Sequence, residues 1–373
     1  MQRATHNRGG KVIAICGVAG HNRGDDAIAI AMANEFRARL PDVTVQIAML
    51  VLGAIPRAPG IEPFLAVRRN PFGFFALVRA IARADLVIVG GGSLIQDKFG
   101  GGRIKGVLGY AWLVSRLARI FRKPFVTAPL GIDTLESDHA KRVAAELLSA
   151  AQAIFVRDEQ SLANGRALLV GSPHDRIIRV CDPAFSLSEV TQGDDRAGPV
   201  VLAPAFEGEY DDLVIDIFRR VAIHAATMLD RDVVVLSMDE RDSNSVRKIV
   251  ETLPEALRGR ASACVPATLS ETLTVLHSAS GLIAMRLHAM ILSFGVCPIS
   301  CLSRTTKTHA FMEDYHVPGL AVAQHDPETT ASMLVEAVRA WPQRNAQLAV
   351  REERLGDLAK FFDAAVAIIQ VGA

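Results

Sequence analysis

The chain has 373 residues, half of them hydrophobic, more than one core usually organises, so two domains are expected. Its 41 basic residues nearly balance 40 acidic ones, which removes the footprint of a general nucleic-acid binder, and nucleic acid is not expected as a partner. The five cysteines, at 16, 181, 264, 297 and 301, are scattered and lack zinc-site spacing; they read as free thiols in a reducing compartment, with no metal site. The polar first ten residues do not read as a secretion signal, and no run of eighteen residues is apolar enough to span a membrane. A cytoplasmic protein is expected.

In chain order, the first half alternates β-rich runs with helical patterns, the signature of parallel sheets covered by helices. Strands are predicted at Val12–Cys16, Val43–Leu50, Leu86–Val89, Phe125–Ala128, Ala153–Val156 and Ile177–Val180. Helices are predicted at Asp25–Leu40, Phe72–Arg83, Lys105–Phe121, Glu136–Ala150 and Asp158–Ala167, where apolar residues recur at three- and four-residue spacing. A polar, Gly/Pro-punctuated stretch at 192–199 reads as a linker. Strands then resume at Val200–Ala203, Val233–Ser237, Ala261–Val265, Gly281–Met285 and Cys297–Cys301. Helices fall at Asp211–Leu229, Ser243–Leu253, Ser270–Ser278 and His288–Phe294, with a last one at Ala346–Ile369 after Pro342. The expected class is α/β: two Rossmann-like doubly wound domains facing a cleft, over 1–192 and 199–345, with 346–373 a terminal helix able to pack back on the first domain.

Loops at strand ends carry the candidate chemistry. Gly17 to Asp26 has the strand, glycine loop and helix order of a phosphate cradle, but its spacing departs from G-x-G-x-x-G, no G-K-[ST] follows, and Gly53 stands where a ribose-binding acid belongs. This weighs against NAD and ATP. As a ligand loop it offers Gly20 and Asn22; the structural reading is a tight turn with Asp25 capping the helix. Gly90-Gly91-Gly92-Ser93 gives backbone N–H groups access to an oxygen-rich ligand, and Asp97 could accept a hydroxyl proton; the alternative is a turn with a solvated aspartate. Arg157 follows a strand and Asp158 suits a helix cap, while Asp182 in Asp-Pro could orient another group. Arg286-Leu287-His288 opens an apolar helix, and Arg304 and Lys307 follow the next apolar segment. A permanent cation beside an imidazole suggests a phosphorylated substrate and an acid/base step; the alternative is a satisfied ion pair. His21, His139, His174, His224 and His277 read as surface or packing residues. Phe72, Phe74 and Phe75 with Arg68, Arg69, Arg79 and Arg83 could touch an anionic membrane surface, with an ordinary core helix preferred.

Taken in order, the Gly17–Ile28 segment, Ala84-Asp-Leu-Val-Ile-Val-Gly-Gly-Gly-Ser-Leu-Ile-Gln-Asp97, Val156-Arg-Asp158 with Ser161, Asp182-Pro-Ala-Phe185 and Arg286-Leu-His-Ala289 resemble the polysaccharide pyruvyl transferase family over about residues 11 to 315. The resemblance implies a GT-B-like fold and transfer of pyruvyl from phosphoenolpyruvate to a sugar as a cyclic ketal, with no cofactor beyond that donor. It also implies donor contacts from Arg286 and Leu287, with His288 the essential acid/base. Arg157 is expected as a second anion clamp, Lys307 as a third, and Asp97 or Asp26 as base. The chain departs from the family's frequent Gly-Asp-Glu at Gly24-Asp25-Asp26, and Arg304 and Thr306 stand where a tyrosine and a proline often precede the lysine. The acceptor is expected to be a sugar, free or lipid-linked, met at the inner face of the cell membrane. The rivals are a nucleotide-sugar glycosyltransferase on the same architecture and a non-catalytic glycan-binding relative.

Overall fold

The structure, a computed structural model, describes residues 10–67, 70–98, 100, 102–103, 106–170, 176–188, 197–206, 208–341 and 344–371. Arg68, Arg69, Lys105, His174, linker positions 192–196 and Pro342 lie outside them. The chain divides into two compact units. One takes the chain up to Ala19, Met32–Val180 and the chain from Leu358; the other takes Gly20–Ala31 and Cys181–Asp357.

The first unit is built on β1 (Val12–Ala19), most of α1 (Arg23–Arg39), β2 (Thr44–Met49), β3 (Ile61–Leu65), α2 (Pro71–Arg83), β4 (Leu86–Val89), α3 (Gly106–Ile120), β5 (Phe125–Thr127), α4 (Asp138–Ala150), β6 (Ile154–Val156), α5 (Glu159–Leu168) and β7 (Ile177–Arg179). Its parallel sheet has the order β3-β2-β1-β4-β5, with β6 and β7 paired separately. All four β4 side chains are buried, which is why Leu-Val-Ile-Val reads as one apolar run: helices cover both faces of a parallel sheet. Local chemistry starts the helices. Asn70 and Pro71 open α2, and the side chains of Ser137 and Asp158 accept from backbone N–H groups to open α4 and α5. The α2 helix buries Gly73, Leu77, Ala80 and Ile81, as a core helix should, yet leaves Phe72 and Phe75 exposed.

In the second unit a 3-10 turn at Pro183–Leu187 precedes β8 (Val200–Ala203), α6 (Asp211–Met228), β9 (Val233–Leu236), α7 (Ser243–Glu251), α8 (Glu255–Arg258), β10 (Ala261–Cys264), α9 (Leu269–Ser278), β11 (Gly281–Ala284), α10 (Leu287–Ser293), β12 (Ile299–Ser303), α11 (Thr306–Tyr315), β13 (Gly319–Ala321) and α12 (Pro327–Ala340). Its six parallel strands run β10-β9-β8-β11-β12-β13, the doubly wound order whose direction reverses between β8 and β11. The strand expected at Cys297–Cys301 begins at Ile299, because the backbone still turns at Val296 and Cys297, whose N–H groups bond back to the Ser293 carbonyl. A last helix, α13 (Arg344–Val371), contributes Phe361 and Phe362 to the first unit, edge-on to Phe36 at 6.0 and 5.1 Å between ring centres.

Candidate active site

In the second unit β8, β9, β11 and β12 end at one edge of the sheet, so the loops leaving them converge where doubly wound folds bind ligands. Arg286 follows β11 at the N-cap position of α10, but its side chain makes no cap bond. Its guanidinium engages Asp242 Oδ2 through Nε at 2.9 Å and through a terminal nitrogen. Asp242 is fully buried and also accepts from the Phe206 N–H at 3.3 Å, so one carboxylate ties together the loops after β8, β9 and β11. Burial pushes the Asp242 carboxyl above its ordinary value, with Arg286 opposing. Nearby Asp239 moves the other way: burial works upward, but hydrogen bonds from Arg241 and the charge of Arg286 outweigh it.

His288 sits one residue into α10. Its Nε2 lies 3.5 Å from Asp182 Oδ2, and the two side chains are 13% and 3% exposed. Nε2 makes no hydrogen bond among the described residues. Asp182 is itself anchored, since Oδ1 accepts from the Ala184 N–H at 3.0 Å to cap the 3-10 turn. Below it Phe185 packs against Phe294 and Tyr315, with ring centres 5.7 and 5.1 Å away, which fixes the turn against α10 and α11. The other side of the imidazole rests on Gly24, where a methyl group would overlap Nδ1, Cγ and Cβ of His288.

Gly24 reaches the ring because residues Gly20–Ala31 belong to this second unit. The Arg23 N–H donates to the Met238 carbonyl at 2.9 Å, and its 5%-exposed guanidinium donates to Asp26 Oδ2 at 2.7 Å and stands 3.9 Å from Glu240. Asp26 is fully buried, and its Oδ1 accepts from the Gly20 N–H at 2.7 Å. Burial pushes its carboxyl up, against the pull of Gly20 and Arg23. Asn22 Oδ1 accepts from the second helical N–H, that of Gly24, at 2.8 Å, the capping role that the tight-turn alternative gave to Asp25. His21 is exposed as predicted, yet it stands beside the same loop, 3.5 Å from Glu240. Lys307 is exposed on the first turn of α11, whose N-cap is Thr305; Arg304 stands over the Tyr210 ring and 3.5 Å from Asp211.

In the first unit Gly90, Gly91 and Gly92 have φ of 146°, 97° and 76°, a run of left-handed backbone that no other residue type adopts without strain. The Gly92 carbonyl accepts from the Gly131 N–H at 3.0 Å, and Arg157, 7% exposed, donates to Ser93 Oγ at 3.0 Å. Asp97, one of the two predicted bases, accepts through Oδ2 from the Glu136 and Ser137 N–H groups at 2.9 and 3.2 Å, pinning the entry to α4.

The predicted residues therefore gather as two sets. Gly20, Asn22, Asp26, Arg286, Leu287 and His288 share the second unit, whereas Gly91, Gly92, Ser93, Asp97 and Arg157 share the first. Arg23, Asp239 and Asp242 escape the sequence reading because each sits in an ordinary polar run; only Asp182 was signalled, by its Asp-Pro step. Among the described residues no group of three or more His, Cys, Asp or Glu side chains has metal-holding geometry, and no helix is long and apolar enough to cross a membrane. The arrangement can hold a proton at a half-buried imidazole, set a carboxylate beside it and stabilise negative charge with guanidinium groups set by their own acids.

Two doubly wound units with parallel sheets give the chain a GT-B-like fold. The chain belongs to the polysaccharide pyruvyl transferase family, whose model matches residues 22–296. No curated protein matches it. Among solved structures it is similar in fold to Staphylococcus aureus MnaA with UDP (TM-score 0.62, 11% identity, 91% of each chain). It is similar also to the Neisseria meningitidis UDP-GlcNAc 2-epimerase bound to UDP-GlcNAc (0.58, 12%, 96% of this chain and 99% of that one) and to Acinetobacter baumannii MurG (0.53, 10%, 96% and 99%).

Proposed function

We propose that the protein moves a pyruvyl group from phosphoenolpyruvate to a sugar of a polysaccharide or glycolipid precursor, forming a cyclic ketal and releasing phosphate. The observation that carries this reading is the half-buried His288, backed by Asp182 and set beside the Arg286–Asp242 pair, in a chain of this family. C2 of phosphoenolpyruvate becomes electrophilic only once C3 is protonated, so the site needs an acid over the methylene carbon and cations for phosphate and carboxylate. His288 supplies the proton to C3, making the methyl group. Asp182 keeps the ring aimed, Gly24 leaves room for it, and Arg286, held in one orientation by Asp242, steadies the donor's negative charge together with Lys307, with Leu287 lining the donor site.

One sugar hydroxyl then forms a bond to C2 and loses its proton. A second hydroxyl of the same sugar attacks C2 as the C2–O bond to phosphate breaks, and its proton leaves with phosphate or a base. Asp97 and Asp26 are the two candidates for that base: Asp97 Oδ2 accepts from two backbone donors, and the buried Asp26 accepts from Gly20 and Arg23. In the first unit the glycine loop, with Gly91, Gly92, Ser93 and Arg157, is assigned to substrate oxygens, and Gly20 and Asn22 shape the loop that carries Arg23 and Gly24. The reaction is placed on the cytoplasmic side of the cell membrane.

The test is incubation with phosphoenolpyruvate and a panel of free and lipid-linked glycans, following phosphate release and the glycan's mass. Phosphate release that requires a glycan, matched by a ketal-linked pyruvate on it, supports the reading. Indifference to phosphoenolpyruvate, with consumption of a nucleotide sugar, supports the glycosyltransferase instead, and glycan binding without turnover supports a non-catalytic relative.

A further inference from the structure

The first unit carries a second feature that the proposed chemistry does not use. Between the C-terminal end of α3 and α4 lies an open groove of about 790 Å³ lined by Arg116, Arg119, Arg122, Lys123 and Arg142, with Glu146 as its one carboxylate. Glu146 is already committed, accepting from Arg103, Arg116 and Trp112 at 2.5, 2.7 and 2.9 Å. Arg119, Arg122, Lys123 and Arg142 have no carboxylate partner among the described residues. Within the same sequence run two apolar side chains stand in solvent, Ile120 at 69% and Phe121 at 36% exposed.

The α3 helix ends with the Lys123 N–H bonded to the Ala118 carbonyl at 2.8 Å, and Arg122 takes φ +53°, the left-handed position that helices normally give to glycine. An arginine there is a local cost of the kind the chain also accepts at Asp230, His316 and Ala323. The α2 helix, packed beside α3, repeats the mixture, with Phe72 at 84% and Phe75 at 70% exposed on the stripe that also carries Arg79 and Arg83.

We propose that this end of α3, with the α4 wall of the groove, docks the protein on an anionic phospholipid surface. Ile120 and Phe121 enter the interface, and Arg119, Arg122, Lys123 and Arg142 face the lipid phosphates. Charge complementarity favours this occupant: cations without a carboxylate partner among the described residues flank exposed apolar side chains in sequence, the pairing that interfacial binding requires. The docking does not depend on the pyruvyl-transfer reading, and a lipid-linked acceptor would meet an enzyme already at its membrane.

The experiment is sedimentation of the full chain with vesicles of phosphatidylcholine alone or with phosphatidylglycerol added, over a range of salt. Binding is expected only to the anionic vesicles and weakens with salt. Arg122→Gly is expected to bind about fivefold more weakly, the effect of one cation at such a surface, with thermal stability unchanged or raised because glycine suits the left-handed position. Ile120→Ser with Phe121→Ser should weaken vesicle binding again while leaving the affinity for inorganic polyphosphate as it was. Equal binding to neutral and anionic vesicles, absence of vesicle binding, or polyphosphate binding as tight as vesicle binding and insensitive to the apolar pair would overturn the proposal.

Discussion

At the scale of single residues, His288 and Gly24 bear the argument. His288→Gln removes the proton donor but keeps a polar side chain of similar reach; turnover is expected to fall by about 10²–10⁴, with folding stability within about 1 kcal/mol of the parent. Phosphate release from phosphoenolpyruvate with a working acceptor measures the first, thermal unfolding the second. Near-parental release would remove His288 from its role. Gly24→Ala is a sharper probe because the added methyl group acts on the imidazole itself. Its methyl group overlaps the imidazole, so the ring must move. A shift of about 1 Å costs on the order of a hundredfold in rate, while alanine in a helix is favoured over glycine by about 1 kcal/mol. Activity lost with stability kept is the expected result; full activity would show that the ring's present position does not matter.

At the scale of elements, Glu146 on α4 shows how one carboxylate organises a surface. Hydrogen bonds from Trp112 and then Arg103 and Arg116 lower its pKa from 4.5 to about 2. A lowered carboxylate contributes stability above its unfolded value and loses it as pH falls through the folded one. Glu146→Gln should therefore cost about 1 kcal/mol at neutral pH, a figure reduced for partial exposure, and the difference from the parent should shrink in acid toward pH 2. A gap that widened in acid would contradict the assignment. Elements also mark where the sequence stops being legible. Long apolar-periodic helices and fully buried strands such as β4 and β8 follow directly from the residues, since burial on both sheet faces leaves no polar positions. The β3 strand, Ile-Glu-Pro-Phe-Leu, breaks that pattern with Glu62 and Pro63, tolerable because it lies at a sheet edge. The three residues of β13 are too few for a period. The α11 and α12 helices announce themselves only through their caps, the Thr305–Thr308 box and Asp326-Pro327, which polar composition hid. At the site, Arg286 and His288 stood out as a motif. Their carboxylate partners Asp242 and Asp182 lie 44 and 106 positions away in sequence, and only folding pairs them.

At the scale of the whole molecule, the chain's return at its end matters. From Leu358 onward α13 belongs to the first unit, and the buried Phe361 and Phe362 complete a cluster with Phe36 and Phe155. Phe361→Ala should destabilise that unit by about 3–5 kcal/mol. The two tryptophans separate the effect, because Trp112 lies in the first unit and Trp341 in the second. In a Trp341→Phe background, the fluorescence transition of Trp112 in urea should move to markedly lower denaturant; an unmoved transition would mean that the terminal helix contributes little there.

The account's central claim, that an imidazole protonates the vinyl end of phosphoenolpyruvate during transfer to a sugar, is tested most directly by running the reaction in heavy water and analysing the glycan product. The expected product carries a ketal-linked pyruvate whose methyl group holds one solvent deuterium. A ketal whose methyl group holds no deuterium, or a glycan left unmodified while a nucleotide sugar is consumed, would contradict it.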